Sequence, residues 1–485
     1  MKLKKTPITK ILFALMLVSI VAALLFTMQS CEDAADSGDG SGQTDDTSEI
    51  APPVIQEQSN KLVVYMTLFN DNILTPALNI FKEKYPDVEI ELREFSNDNN
   101  VMAALEEYKA ILKTEIAAGK GPDLILGLPD YDVHDIYKSM DAGVFLDLNS
   151  FIENDDEFNI DNYVKAVLDS GIYKSKRYIM PVEYSVPILL TTQEILDEEG
   201  ITPSDLATFD GFIKTLENYN EKYKDNLNKT IFKKPIFDSI NTIVYQVFPW
   251  CGIDLINYPE NKVDVDTPYF KSFMELIKQW FANKDYSGED NSGIYTANAL
   301  QKQKWLFEPV TFSNLLGFYR KHSAMLSIKL TPVVLKYTDI NNKMTGKVTT
   351  FAAIPKTSKN QINAYNLLKI ILSEDIQANL LVSLSLPVLK DAVRSLSITY
   401  IYEGYDWESK DISKFHISAL DPPMPEKELE EYIDLITNLD SCKIMAYTPM
   451  LEFFTRDMEP YFENKKSFEE CVAILKNNLE LYMSE

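Results

Sequence analysis

Strand-like and helix-like stretches alternate along the chain from Lys61 onward, and this alternation restricts the possible fold more than any other feature. Residues 61–67, KLVVYMT, are apolar and β-rich, which predicts a buried strand, and Pro76 is expected to open the helix that follows. Residues 88–95 alternate apolar and charged side chains, which predicts a second strand with Leu92 facing the core. A strand–helix–strand unit of this kind indicates a parallel α/β sheet.

Further along the chain the same pattern continues. A second helix is expected to end near Gly119 and Gly121, before a short buried strand at residues 124–126, and AMLSIKL, residues 324–330, is also expected to form a strand. The body after residue 60 is longer than one hydrophobic core usually organises, because chains beyond about 250–300 residues divide into domains. The sequence therefore predicts two lobes.

Helix caps and the remaining cysteines point to ordinary structural roles. Thr267 is expected to cap a helix that Pro268 opens, and Ser467 and Glu470 have the spacing of a capping box. The helix after Ser467 places Cys471 on its apolar face. Three cysteines follow Cys31, and their spacing indicates neither a disulfide framework nor a zinc site. We therefore expect no metal and no cofactor.

The first thirty residues have the composition of an export signal. Four lysines within residues 1–10 precede an uncharged apolar run at residues 11–28, and Cys31 closes it. At about 1.5 Å of rise per residue the run would nearly cross a hydrocarbon core of about 30 Å, so an uncleaved anchor helix is the alternative. The stretch that follows, to residue 60, is acidic, rich in Ser and Gly and free of basic residues, which predicts a flexible linker.

The charge of the chain limits its partners. The formal net charge is −26 at pH 7, and no basic patch appears in the sequence. Nucleic acid is excluded as a natural partner, because phosphate binding needs clustered Lys and Arg. The excess of acidic residues is expected to keep a surface protein soluble. The alternative is that it serves to bind a cationic ligand.

Seven segments resemble a known family in the expected order. One is TEIAAGKGPDLIL at residues 114–126, and the others lie at residues 81–92, 141–152, 177–196, 253–280, 353–375 and 385–393. Together they resemble the bacterial extracellular solute-binding proteins of the sugar-binding type, and residues 28–31 resemble the lipobox of bacterial lipoproteins. Met28 and Gln29 depart from the usual lipobox residues.

The resemblance implies an α/β fold of the two-lobed periplasmic-binding-protein type II class, with a hinge and a central ligand cleft. The implied division is a signal peptide at 1–30, an acidic linker with lipidated Cys31 at 31–60, a first lobe at 61–180 and 351–384, and a second lobe at 181–350 and 385–485. Ligands of open α/β sheets lie beyond the carboxyl ends of the strands, so contacts are sought on the loops that follow strands.

The resemblance also implies ligand-binding residues in three loops and in the crossover between the lobes. Phe69, Asn70 and Asp71 follow the first strand, although Asn and Asp also favour turns that bond their own backbone. Asp123 either accepts ligand hydroxyls or caps its own chain. Glu183 is expected to accept hydroxyls at the family's glutamate position. The aromatic contacts are expected from Tyr184 and from Trp250, whose alternative role is in the core.

Two departures from the family argue against a maltodextrin ligand. Thr191 and Thr192 stand where the family usually has a Tyr-Asn pair, and Thr331 and Pro332 stand where a cleft tryptophan often follows. The resemblance then implies a monomeric lipoprotein on the outer face of the cell membrane. It would capture a small polar solute, with a sugar or oligosaccharide expected first, and deliver it to the permease subunits of an ABC transporter.

An enzyme is not expected, because the sequence has no P-loop, no G-x-S-x-G nucleophile elbow and no zinc-hydrolase spacing of histidines. Two alternatives remain open. An adhesin or structural lipoprotein would need no permease, and a surface glycoside hydrolase would need only two suitably spaced carboxylates among 73 acidic residues.

The lipid anchor predicts a specific labelling result. Cells that express the full chain with radioactive palmitate should yield a labelled protein, and Cys31→Ser should abolish the label, because the thioether needs the thiol. A wild-type protein that never acquires the label would favour the uncleaved anchor helix, and a label that persists in the variant would place the lipid on another residue.

Overall fold

The computed structural model describes most of the chain after residue 58. The described residues are 59–67, 71–95, 101–127, 135–226, 229–232, 248–282, 300–302, 305–312, 315–336, 338–379, 385–403, 405–407, 415–417, 419–444 and 447–484.

Strands and helices alternate as the sequence predicts. The strands are β1 Lys61–Thr67, β2 Glu89–Phe95, β3 Leu124–Gly127, β4 Ile172–Tyr173, β5 Lys176–Arg177, β6 Met180–Thr192, β7 Thr230–Phe232, β8 Ile256–Asn257, β9 Lys262–Val263, β10 Trp305–Phe312, β11 Pro332–Lys336, β12 Thr345–Ala353, β13 Leu386–Pro387, β14 Tyr405–Trp407, β15 Phe415–Ile417 and β16 Ser441–Lys443. The α-helices are α1 Asp71–Lys84, α2 Val101–Ala117, α3 Ile136–Asp141, α4 Asn149–Glu153, α5 Lys165–Asp169, α6 Gln193–Glu199, α7 Phe209–Lys222, α8 Phe248–Cys251, α9 Pro268–Ala282, α10 Leu315–Ser327, α11 Gln361–Ile371, α12 Glu374–Gln377, α13 Lys390–Ile398, α14 Glu426–Thr437, α15 Tyr447–Phe462 and α16 Phe468–Ser484.

Seven strands of a 10-stranded sheet run through the body in the order β2-β1-β3-β12-β6-β10-β7, and the other three pair at its side, β11 and β13 with β6 and β16 with β12. The predicted strand–helix–strand unit is confirmed, because β1 pairs in parallel with both β2 and β3. Strand β1 has the predicted bounds, and β3 is buried along its whole length. Helix α1 connects β1 to β2 and helix α2 connects β2 to β3, as crossover connections between parallel strands require.

Strand β6 joins the two ends of this sheet. All its 13 residues are buried. Residues 180–185 pair with β12, and two of them also pair with β13, whereas residues 186–192 pair with β10 and β11. The described residues form one compact unit, and β6 belongs to both ends of its sheet. The predicted lobe boundaries after residues 180, 350 and 384 therefore stay predictions.

Three local predictions were wrong. Helix α1 begins at Asp71 and contains Pro76, instead of starting at the proline. Leu92 was predicted to face the core but is 38% exposed. It lies on β2, an edge strand, which has a neighbouring strand on one side only. Residues 324–327 are the last turn of α10 and not a strand.

The predicted caps are confirmed. The Thr267 hydroxyl accepts a hydrogen bond from the Phe270 amide at 3.1 Å at the start of α9. At α16, the Ser467 amide donates to Glu470 Oε2 at 2.9 Å and the Glu470 amide donates to Ser467 Oγ at 3.2 Å, which is the reciprocal geometry of a capping box. Cys471 is fully buried on the same helix, as predicted.

Cysteines and helices in the described residues set further limits. No disulfide bond links Cys251, Cys442 and Cys471, the cysteines among the described residues. Within the described part of the chain, no helix is both long enough and apolar enough to cross a membrane. The predicted signal, linker and lipidated Cys31 lie outside the described residues.

The hairpin before β6 yields a stability prediction. A Cβ added at Gly171 would lie 1.9 Å from the Ile179 carbonyl oxygen, so Gly171→Ala should destabilise the fold by about 3 kcal/mol in urea unfolding. Gly143→Ala is the control, because Gly143 has φ +62° with open space around it and should lose about 1 kcal/mol. Equal losses in the two variants would contradict the close packing at Gly171.

Candidate functional site

Glu183 lies on β6, in the part of that strand that pairs with both β12 and β13. Its side chain is 5% exposed, and the Thr350 hydroxyl on β12 donates to Glu183 Oε2 at 2.7 Å. Burial raises the pKa of Glu183 to about 7, although the hydrogen bonds from Thr350 and from the Ser385 backbone oppose the shift. No Lys or Arg among the described residues forms an ion pair with it. The carboxyl group is therefore buried with hydroxyl and amide donors as its partners.

The register places Glu183 beyond the carboxyl end of β3. Phe351 of β12 pairs with Gly127, the last residue of β3, and with Pro181 on β6. Since β6 runs on from Pro181 in the same direction as β3, Glu183 lies past the end of that strand. Ligands of open α/β sheets bind beyond the carboxyl ends of strands, so this is the edge where a ligand is expected.

Tyr184 points to the opposite face of β6, because successive side chains of a strand alternate. Its ring is fully buried, and its hydroxyl donates to the Ile436 carbonyl oxygen at 2.8 Å. Burial, with a smaller effect of the nearby Cys442 thiol, raises the pKa of Tyr184. The structure thus gives the Tyr184 ring a core position, with no face exposed for stacking on a sugar.

The Asp123 side chain links the start of β3 to β1 and to Ser358. One carboxylate oxygen accepts the Val63 amide at 2.8 Å, and the other accepts the Ser358 hydroxyl at 2.7 Å. The side chain is 6% exposed. These contacts favour the alternative in which Asp123 binds its own chain.

The other predicted contacts are not brought together in the described residues. Phe69 and Asn70 lie outside them, in the loop after β1. Asp71 is the first residue of α1 and Trp250 lies in α8, but their side chains are outside the described part. The loop after β3 is outside it as well. The ligand-contact role of these four residues stays a prediction.

A cavity of about 810 Å³ is lined by segments from both sides of β6 in the sequence. Tyr137, Ser170 and Tyr173 line it from segments that precede β6, and Cys442 lies within hydrogen-bonding reach of Ser170. Segments that follow β6 contribute the remaining wall, including Asp254 and Tyr258. Neither Thr350 nor Ser385, the partners of Glu183, is in the lining. The cavity therefore does not reach the two partners of Glu183.

A tyrosine cluster ties the segments around the cavity together. The Tyr137 ring stacks on Tyr258 with ring centres 4.6 Å apart, and the Tyr137 hydroxyl donates to the Ile444 carbonyl oxygen. Asp135 caps α3 through the Lys138 amide and accepts hydrogen bonds from the Tyr258 and Tyr482 hydroxyls. The sequence analysis missed these residues. The signal was present in Asp135, an N-cap residue just before a helix.

The Cys442 thiol and the His322 imidazole are both buried. Burial raises the pKa of the Cys442 thiol to about 12 and lowers the pKa of His322 to about 4. His322 Nε2 lies 3.0 Å from Glu428 Oε2, so the neutral imidazole donates a hydrogen bond to that carboxylate. In the part of the chain that the structure describes, no cluster of three or more His, Cys, Asp or Glu side chains could hold a metal ion.

Comparison with known proteins identifies both a family and a fold. The family model described as "Bacterial extracellular solute-binding protein" matches residues 77–400. No curated protein matches the sequence.

Solved structures resemble the chain over most of its length. The sugar-binding protein MalE from the phytopathogen Xanthomonas citri has 12% identity and a TM-score of 0.60, with 87% of this chain and 97% of that chain covered. An ABC substrate-binding protein from Listeria monocytogenes in complex with cycloalternan has 14% identity and a TM-score of 0.53, with coverage of 87% and 99%. The cyclic α-maltosyl-1,6-maltose binding protein from Arthrobacter globiformis has 12% identity and a TM-score of 0.52, with coverage of 87% and 98%. The predicted two-lobed α/β fold is confirmed.

The buried Glu183 predicts a pH-dependent stability. Its pKa rises from 4.5 to about 7 on folding, so it stabilises the fold fully below about pH 4.5 and that contribution is lost as the pH rises through about 7. The free energy of unfolding of the wild type, minus that of Glu183→Gln, should fall by about 3 kcal/mol between pH 4 and pH 8. Urea unfolding of both proteins across this range measures it. If the two free energies of unfolding differed by the same amount at every pH, the raised pKa of Glu183 would be contradicted.

Proposed function

We propose that this chain, which belongs to the family of bacterial extracellular solute-binding proteins, captures a sugar or oligosaccharide and delivers it to an ABC permease. The observation that carries the sugar class is the likeness over 87% of the chain to sugar-binding proteins, one of them in complex with cycloalternan. Membership of the family places the site of action outside the cytoplasm.

Glu183 is the proposed centre of the sugar site. It lies past the carboxyl end of β3 and has two carboxylate oxygens, of which Oε2 already accepts the Thr350 hydroxyl. A carboxylate that accepts hydroxyl donors in the folded protein is chemically suited to accept sugar hydroxyls. An anionic ligand is disfavoured, because it would be repelled by the ionised carboxylate, which has no ion-pair partner in the described residues.

Phe69, Asn70, Asp71 and Trp250 complete the proposed site. They are kept as ligand contacts on the resemblance alone, since a ring such as Trp250 can pack on the apolar face of a sugar. Asp123 and Tyr184 are proposed to hold β3 and β6 in place, because their polar atoms already have partners within the fold.

The proposed form of the protein is a monomeric lipoprotein that binds its solute without chemical change. Lipidation at Cys31 would fix it to the outer leaflet, and a coil of about thirty residues has a root-mean-square reach of about 30 Å. Such a tether raises the effective concentration of the loaded protein at the permease. The buried His322 and Cys442 support binding without catalysis, because neither is suited to proton transfer or attack near pH 7.

Ligand-induced stabilisation tests the function. Full-length protein in detergent should be stabilised by at least one member of a panel of neutral sugars, including D-tagatose, maltose and mannotriose, and not by spermidine or tripeptides. At a hundred times its dissociation constant a ligand adds about 2.7 kcal/mol, which a thermal shift assay detects. Stabilisation by spermidine or peptides alone would overturn the sugar class.

The same ligand tests Glu183. Glu183→Gln should weaken its binding about fivefold or more, because the ligand hydroxyl loses a charged acceptor worth about 1 kcal/mol more than a neutral one. Glu217→Gln, an exposed change on α7, is the matched control and should leave the affinity unchanged. Equal affinities in all three proteins, measured by calorimetry, would remove Glu183 from the site.

A further inference from the structure

The side chain of Gln377, the last residue of α12, is buried where three chain segments meet. Its amide nitrogen donates to the Val182 carbonyl oxygen at 3.3 Å and to the Ile371 carbonyl oxygen at 3.2 Å. Its amide oxygen accepts the Val388 amide at 2.8 Å and the Leu389 amide at 3.4 Å. Both donors and both acceptor positions of the side chain are therefore in use.

The register of β13 shows what the Gln377 amide replaces. Strand β13 pairs antiparallel with β6, and its last residue, Pro387, stands opposite Glu183. One step further in this register would put Val388 opposite Val182. Those two backbone groups bond the Gln377 side chain instead, and the Val388 carbonyl oxygen accepts an amide from the segment just before α5. The side-chain amide thus stands in for a peptide group where the chain leaves β6.

This position requires an amide. The bridge needs a donor toward the carbonyl oxygen of β6 and an acceptor toward the amides that follow β13, whereas an ionised carboxylate can only accept. Pro387 has no N–H, so it donates nothing to β6 at the position opposite Glu183. Buried backbone groups without partners are costly. The described hydrogen bonds that link Val388 and Leu389 to β6 therefore run through Gln377.

The chain that Gln377 holds also supplies a donor to Glu183. The Ser385 backbone amide donates to the Glu183 carboxylate, and the Thr350 hydroxyl on β12 is its other donor. Gln377 fixes the backbone on both sides of this contact, at Val182 directly before Glu183 and at the chain three residues after Ser385. The place of the Ser385 donor is therefore set by the segment that Gln377 holds.

We propose that Gln377 is a positioning residue for Glu183, which holds the chain after β13 to β6 and so keeps the Ser385 amide on the Glu183 carboxylate. The carboxylate oxygens then keep one orientation in which to meet the hydroxyls of a ligand. The consequence for binding rests on the proposed function, because Glu183 is the proposed centre of the sugar site. The hydrogen-bond bridge itself needs no ligand.

The titration of Glu183 tests the positioning. Urea unfolding of full-length Gln377→Met, with and without Glu183→Gln, gives the pH midpoint at which the stabilising contribution of Glu183 is lost. Methionine fills the space without hydrogen bonds, and a buried carboxylate that loses a donor has a higher pKa. The midpoint should therefore lie about half a pH unit or more above that of the wild-type pair. A midpoint at or below the wild-type value, or a Glu183 that titrates in neither background, would overturn the proposal.

Ser397→Ala is the control for lost stability. Ser397 is fully buried on α13, where its hydroxyl bonds the Tyr319 hydroxyl and the Val393 carbonyl oxygen and none of the groups around Gln377. The variant should unfold at lower urea concentration and leave the Glu183 midpoint unchanged. Equal shifts of the midpoint in Ser397→Ala and Gln377→Met would count against a positioning role.

Gln377→Glu tests the bridge by a second variant that does not depend on the folding of Gln377→Met. A protonated carboxyl can donate to Val182 and accept from Val388, whereas the ionised form can only accept. The urea midpoint should therefore be close to that of the wild type at pH 4 and fall progressively below it toward pH 8. Gln361→Glu, the same change at the partly exposed start of α11, should keep a constant difference from the wild type. A constant difference in Gln377→Glu as well would contradict the bridge.

These results and the ligand assays can fail separately. The Glu183 midpoint needs no ligand, so it reports on Gln377 even when no sugar of the panel binds. If Glu183→Gln weakens sugar binding while the midpoint stays in place in Gln377→Met, the proposed function stands and the role of Gln377 is wrong.

Discussion

The hydrogen bonding of one buried strand, β6, is the constraint on which the rest of the molecule depends. A strand with no exposed residue must satisfy its backbone groups within the protein, because a buried unpaired amide or carbonyl is costly. Strand β6 does so with β12 and β13 along its first half and with β10 and β11 along its second half. The pairing register of β6 therefore fixes the position of the strands at both ends of the sheet. A shift of one residue would exchange the faces that Glu183 and Tyr184 occupy.

Acidic groups lie in two kinds of surroundings in this structure. Glu183 has hydroxyl and amide donors but no cation in the described residues, and its burial raises its pKa to about 7. Around the cavity, Asp169, Asp254 and Asp264 remain partly exposed and are neutralised by Lys and Arg. Isolated charges are expensive to bury, whereas exposed pairs are tolerated at little gain or loss. Both kinds of surroundings thus leave oxygen acceptors in the folded protein.

The sequence predicted what depends on local pattern. The bounds of β1, the caps at Thr267 and Ser467 and the buried Cys471 follow from neighbouring residues alone. Leu92 could not be placed, because its alternating pattern is the same whether β2 is central or at the edge of the sheet. The surroundings of the candidate site residues were harder to predict. Alternation along β6 implies that Glu183 and Tyr184 face opposite ways, yet only the long-range contacts with Thr350 and Ile436 determine what each residue meets.

The position of the cavity also gives it a physical link to the movement of the lobes. A ligand shifts a conformational equilibrium only by the difference between its affinities for the two states. The walls of the cavity come from segments on both sides of β6 in the sequence, including Tyr173 before it and Asp254 after it. If the two ends of the sheet move about β6, the separation of these walls changes. A solute in the cavity then has different contacts in the two states, and that difference shifts the equilibrium between them.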